Sequence, residues 1–125
     1  MKTSNVIIAV LILVIGGGLG YVAYRDTRPG MLDGFAACLA DRGAVFYGAF
    51  WCPHCQAQKK MFGNSAQRLP YVECSTPDAQ DQLQSCIDKQ ITNYPTWEFK
   101  DGTREVGEVP LETLAAKTGC TLTQQ

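Results

Sequence analysis

The sequence predicts an α/β domain, a central mixed sheet flanked by helices, carried behind an N-terminal membrane helix. Three observations predict it. Residues 5–24 contain no charged side chain. The remaining chain alternates helix-period and strand-length apolar segments in the order helix–strand–helix–strand–helix–strand–strand–helix, so a parallel half is followed by a hairpin half. A Cys-Pro-His-Cys run, residues 52–55, stands where an apolar strand meets a helix.

The first element is the apolar run. Twenty helical residues rise about 30 Å, enough to cross a bilayer, so residues 1–24 read as a transmembrane signal anchor. Lys2 precedes it and Arg25 and Arg28 follow it, a balance that does not set orientation. The competing reading is a cleaved signal peptide, with a loose small-x-small site at Gly18-Leu19-Gly20. Tyr21 and Tyr24 would sit at the outer interface, and residues 25–30 read as a linker before a domain over 31–125.

Within that domain Leu32, Phe35, Ala36 and Leu39 recur at helical spacing, giving a helix over 31–41 that Gly43 ends. Residues 44–50 form a nearly continuous apolar strand, as expected at the centre of a sheet covered on both faces. Gly63-Asn64-Ser65 breaks the next helix, and 69–74 is a second strand. Thr76-Pro77-Asp78 reads as a capping signal for a helix over 78–89 with Leu83, Cys86 and Ile87 inward. Strands over 96–100 and 104–108 flank an Asp101-Gly102 turn. Pro110 opens a last helix through Lys117 that Gly119 stops.

Composition narrows the function. The net charge is −1, and the basic residues are scattered with Lys59-Lys60 as the sole adjacent pair, so no nucleic-acid surface is expected. Six cysteines in 125 residues point to an oxidising compartment, which places the domain outside the cytoplasm: periplasm, thylakoid lumen or cell exterior. The single histidine and the absence of a second CxxC leave no metal site of the usual zinc spacing.

Two cysteines separated by two residues at a strand-to-helix junction form the redox pair of the thioredoxin fold. Pro53 suits the first helical turn. Cys52 would then occupy the helix N-terminus, where unpaired N–H groups favour a thiolate, and act as the attacked and attacking sulfur. Cys55, one turn on, would resolve. Trp51 and His54 would shape the surface and the potential, His54 by donating to, or charging against, the Cys52 sulfur. A lone CxxC would leave open a structural disulfide or half of a metal site. Tyr94-Pro95-Thr96, about forty residues on, argues against both. In the thioredoxin fold a cis-proline loop packs against the CxxC and the preceding residue pairs with substrate backbone, roles that fall to Pro95 and Tyr94. Thioredoxin and DsbA also carry an acid six residues before the first active cysteine. Phe46 stands there instead, which leaves proton exchange to water, His54 or a partner.

The other four cysteines allow three pairings. Cys74 ends a strand and Cys86 follows on the next helix, while Cys38 and Cys120 lie on the first and last helices. Those placements favour structural disulfides Cys74–Cys86 and Cys38–Cys120 over the other two pairings. A sharper alternative makes Cys74–Cys86 an electron relay.

Ala44 to Cys55, Gln58-Lys59, Phe62-Gly63, Pro70 to Cys74 and Tyr94 to Trp97 together resemble the thioredoxin-like domain fused to, or encoded beside, bacterial and plant homologues of vitamin K epoxide reductase. The resemblance implies that Cys52 and Cys55 exchange disulfides with a quinone-linked membrane oxidase and pass oxidising equivalents to exported proteins. This chain itself needs no cofactor beyond its disulfide, and the oxidase and its quinone would belong to a separate polypeptide. The rivals are a reductase or isomerase of the same fold, a copper chaperone using Cys52, Cys55 and His54, and a purely structural tethered domain.

Overall fold

The computed structural model describes residues 2–26 and 28–123, with side chains for 5–24 and 28–123. Helix α1 (Lys2–Asp26) runs two residues into the segment that composition marks as linker. Within it Asn5–Tyr24 has a mean hydropathy of 2.6 and no buried side chain, and is long and apolar enough to cross a membrane. The Arg28 guanidinium stands 4.6 Å over the Tyr24 ring.

The domain has the mixed sheet and flanking helices of a thioredoxin-like fold. Strand β1 (Val45–Gly48) is central, parallel to β2 (Tyr71–Glu73) on one side and antiparallel to β3 (Thr96–Glu98) on the other. Strand β4 (Arg104–Val106) pairs antiparallel with β3, completing the order β2-β1-β3-β4. Successive β1 side chains point to opposite faces, and both faces are covered. Phe46 stacks on Trp97 at 4.8 Å in the larger core. Tyr47 packs with Cys74, Cys86 and Ile91 in a smaller one.

Helix α2 (Asp33–Asp41) buries Phe35, Ala36 and Leu39. It begins later than Met31, and the N–H of its N-cap Leu32 is donated to Ser65 Oγ at 2.9 Å. Helix α3 (Pro53–Phe62) ends at Gly63, whose φ of 54° turns the chain into a 3-10 segment over Gly63–Arg68. Helix α5 (Leu111–Thr118) stops at Gly119 in the left-handed region. The larger core joins the buried sides of these three helices to Phe46, Trp97 and Phe99.

The expected helix over 78–89 is a correction. Helix α4 covers only Gln84–Asp88, and of the three residues expected inward only Cys86 is buried, Leu83 and Ile87 being exposed. Thr76 and Asp78 do not cap a helix; they close a turn on themselves. Thr76 Oγ1 donates to Asp78 Oδ1 at 2.6 Å and accepts from the Asp81 N–H at 3.0 Å. Ala79 takes a φ of 59°, and Ser75 bridges to Gln82. Local side-chain bonding of this kind competes directly with helix formation.

Two disulfides staple the layers. Cys38–Cys120 ties α2 to the chain beyond α5, and Cys74–Cys86 ties the end of β2 to α4.

Candidate active site

Cys52 is the N-cap of α3, with extended backbone at φ −76° and ψ 119° and Pro53 at the first helical position. Its Sγ accepts the Cys55 N–H at 3.2 Å, the bond that a serine oxygen makes in an ordinary N-cap. Sulfur and backbone donor are thus aligned before any chemistry begins. Both thiols are unbonded to any other sulfur. Cys52 retains 4% of its surface and Cys55 1%, so an incoming sulfur reaches Cys52 first. Burial, and then the bond with Cys52, push the Cys55 thiol up to about 12, which keeps it protonated until its partner is engaged.

Two ties hold α3 to the chain before α5. The buried Gln58 amide bonds the Val109 backbone twice, donating to the carbonyl at 3.0 Å and accepting from the N–H at 2.6 Å. His54 Nδ1 lies 2.7 Å from Glu108 Oε1. A carboxylate only accepts, so Nδ1 carries the proton in that bond. The ring is spent on Glu108 at the exposed rim, not aimed at a sulfur.

Trp51 is half-exposed; its Nε1 donates to Ser75 Oγ at 2.9 Å, and its ring meets Tyr94 edge to face at 6.1 Å. The Tyr94–Pro95 peptide is cis, and Pro95 is fully buried. Tyr94 packs against the core that contains both cysteines. Its hydroxyl accepts from Gln82 Nε2 at 2.6 Å, which holds the ring upright. Trp51, Ser75, Gln82, Ile91, Thr92 and Tyr94 line a groove of about 380 Å³ that reaches Trp51, the residue before Cys52. The structure therefore gathers Trp51, Cys52, Cys55 and Tyr94, with Pro95 in the adjoining loop, engages His54 with Glu108, and pairs the other four cysteines in two disulfides.

Sequence reasoning overlooked one group. Tyr71 and Glu73, alternate residues of β2, reach the site from the neighbouring strand. Tyr71 Oη donates to Glu73 Oε2 at 2.8 Å, while Glu73 Oε1 accepts the N–H groups of Phe50 (3.2 Å) and Ser75 (2.9 Å). Lys59 Nζ lies 3.4 Å from the Tyr71 ring centre. The only signal in the sequence was the period-two spacing of 71 and 73, and its meaning depends on the register Phe46↔Tyr71.

No protein-family model matches the chain. Over 87 residues it is 46% identical to the thiol-disulfide oxidoreductase LTO1 of Arabidopsis thaliana, a match covering 66% of this chain and 23% of the plant protein. The matched stretch thus spans about a quarter of that relative's length.

Proposed function

We propose that this chain is a membrane-anchored thiol–disulfide oxidoreductase that donates disulfides to exported proteins. The observation that carries the reading is the free Cys52–Cys55 pair at the start of α3, beside a cis-proline loop, with the other four cysteines paired off. The name of the plant relative, of which the match covers 23%, supports the same chemistry.

In the oxidising direction a substrate thiolate attacks Cys52 Sγ of the Cys52–Cys55 disulfide. That bond breaks, its electron pair goes to Cys55 Sγ, and a mixed disulfide forms. A second substrate thiolate then attacks the substrate sulfur and releases Cys52 as the thiolate, so the substrate leaves oxidised and the domain reduced. Tyr94 and Pro95 hold the substrate backbone, and Trp51 forms the wall beside it. On this reading a quinone-linked oxidase of the vitamin K epoxide reductase type restores the disulfide, the apolar stretch of α1 keeps the domain beside that oxidase, and the domain faces an extracytoplasmic space. The outward turn of His54 to Glu108 works against a three-ligand copper site.

The test is the reduction potential of the Cys52–Cys55 pair in glutathione buffers. A value more oxidising than about −200 mV supports a disulfide donor, whereas one near −270 mV, roughly thioredoxin's value, overturns the donor role in favour of a reductase. Cys55→Ser should accumulate mixed disulfides with exported proteins and with the oxidase, and mass spectrometry of the trapped species would name both.

A further inference from the structure

Exchange at a buried Cys55 needs a route for its proton. Cys55 Sγ leaves as a thiolate when the disulfide opens, and the thiol must lose its proton again when the disulfide re-forms. Among the described residues no carboxylate is borne on β1, and His54 is engaged with Glu108. Tyr71 of β2 stands beside the sulfur instead, with Glu73 of the same strand bonded to its hydroxyl. A methyl group on Gly48 would lie 3.0 Å from Cys55 Sγ, 2.9 Å from Tyr71 Cε2 and 3.4 Å from Tyr71 Oη. Thiol and phenol therefore both border the bare backbone of Gly48, near enough for a single water to bridge them.

We propose that Tyr71 and Glu73 form the proton relay of Cys55, with Lys59 holding its charge. This deepens the oxidoreductase reading and rests on it. When the disulfide opens, Tyr71 Oη gives its proton to Cys55 Sγ through a bridging water and regains one through Glu73 Oε2. When the disulfide forms, the thiol proton passes to Tyr71 Oη as the phenol proton passes to Glu73 and on to water. One proton enters or leaves per event, and the tyrosine ends as it began. The paired movement is required because burial, followed by the bond to Glu73, raises the Tyr71 hydroxyl well above its ordinary range, so a free phenolate is not a resting species. The Glu73 carboxylate is fixed for the task by two backbone N–H donors, one of them from Phe50, two residues before Cys52. The titratable groups around Cys55 are Cys52 and Lys59 from α3, Tyr71 from β2 and Tyr94 from the loop before β3, and Glu73 is reached through the Tyr71 hydroxyl. Lys59 is the cation among them, and its charge favours the Cys55 thiolate.

The experiment mixes the reduced full chain with oxidised glutathione and resolves two steps by acid quench and mass spectrometry. Formation of the Cys52–glutathione adduct is the first step; its loss to the Cys52–Cys55 disulfide is the second. Tyr71→Phe should slow the second step by about tenfold or more near neutral pH, within the range of general acid–base catalysis. The first step should stay within about twofold, which also shows that the site is folded. Glu73→Gln, which keeps an acceptor oxygen but cannot take up the proton, should slow the second step as well, and both deficits should shrink as rising pH lets hydroxide replace the relay. An unchanged second step in Tyr71→Phe, or equal slowing of both steps, overturns the relay alone. Failure of the wild-type chain to form any adduct at Cys52 overturns the oxidoreductase reading together with it.

Discussion

His54 and Glu108 are joined at 2.7 Å across the gap between α3 and the chain leading to α5. His54 is 70% exposed and Glu108 35%, so water screens the pair and it contributes little to stability, less than about 1 kcal/mol. Its charge matters more. Glu108→Gln removes one negative charge from the Cys52 end of α3 and should favour the reduced, thiolate-bearing form. The Cys52–Cys55 potential should become more oxidising by roughly 5–20 mV, measured in glutathione buffers, with the urea midpoint almost unmoved.

Gly48→Ala places a methyl group 2.9 Å from Tyr71 Cε2 and 3.0 Å from Cys55 Sγ. Overpacking of this kind costs about 1–3 kcal/mol. Urea unfolding of the reduced variant should show that loss, and disulfide exchange should slow because thiol and phenol are pushed apart.

The two staples should differ in weight. Cys38–Cys120 closes a sequence separation of 82 residues and Cys74–Cys86 one of 12. Chain-entropy scaling gives stabilisations of about 4.5 and about 3 kcal/mol respectively. Replacing each pair by alanines and comparing denaturant midpoints checks the ranking. A relay role for Cys74–Cys86 would instead appear as lost exchange activity with the fold intact.

Cys55 also sets a pH dependence. Its thiol is raised from 9.0 to about 12 in the folded, reduced domain, so the folded state favours the protonated form. That contribution is fully present below the unfolded value and is lost as pH rises from about 9 toward about 12. Tyr71 is raised too and adds a loss in the same direction. The reduced domain should weaken across that alkaline window, and Cys55→Ala should weaken less steeply. A matched slope in the two proteins would contradict the burial of this thiol.

Much of this was legible in the residues themselves because it depends on local geometry. Pro53 after Cys52, Gly43 and Gly119 at helix ends, and the apolar run before Trp51 each specify backbone conformation within a few residues. The charge-free stretch 5–24 likewise specifies a helix of membrane-spanning length without reference to anything else. The segment 76–83 misled for the same reason: Thr76 and Asp78 suit an N-cap and a closed turn equally well. The choice fell to the turn, where Leu83 donates its N–H to the Cys74 carbonyl at 2.7 Å and the nearby disulfide holds Cys86 against β2.

The α/β order, the cysteine pair and its place at a helix start are encoded in residues that lie next to one another. The surroundings of that pair come from long-range packing. Parallel pairing of β1 with β2 in the register Phe46↔Tyr71 brings a phenol and a carboxylate to Cys55 from more than fifteen residues away. The same packing turns His54 to Glu108. Contacts between distant segments depend on strand register and helix placement, which the whole core sets together, and no local pattern encodes them.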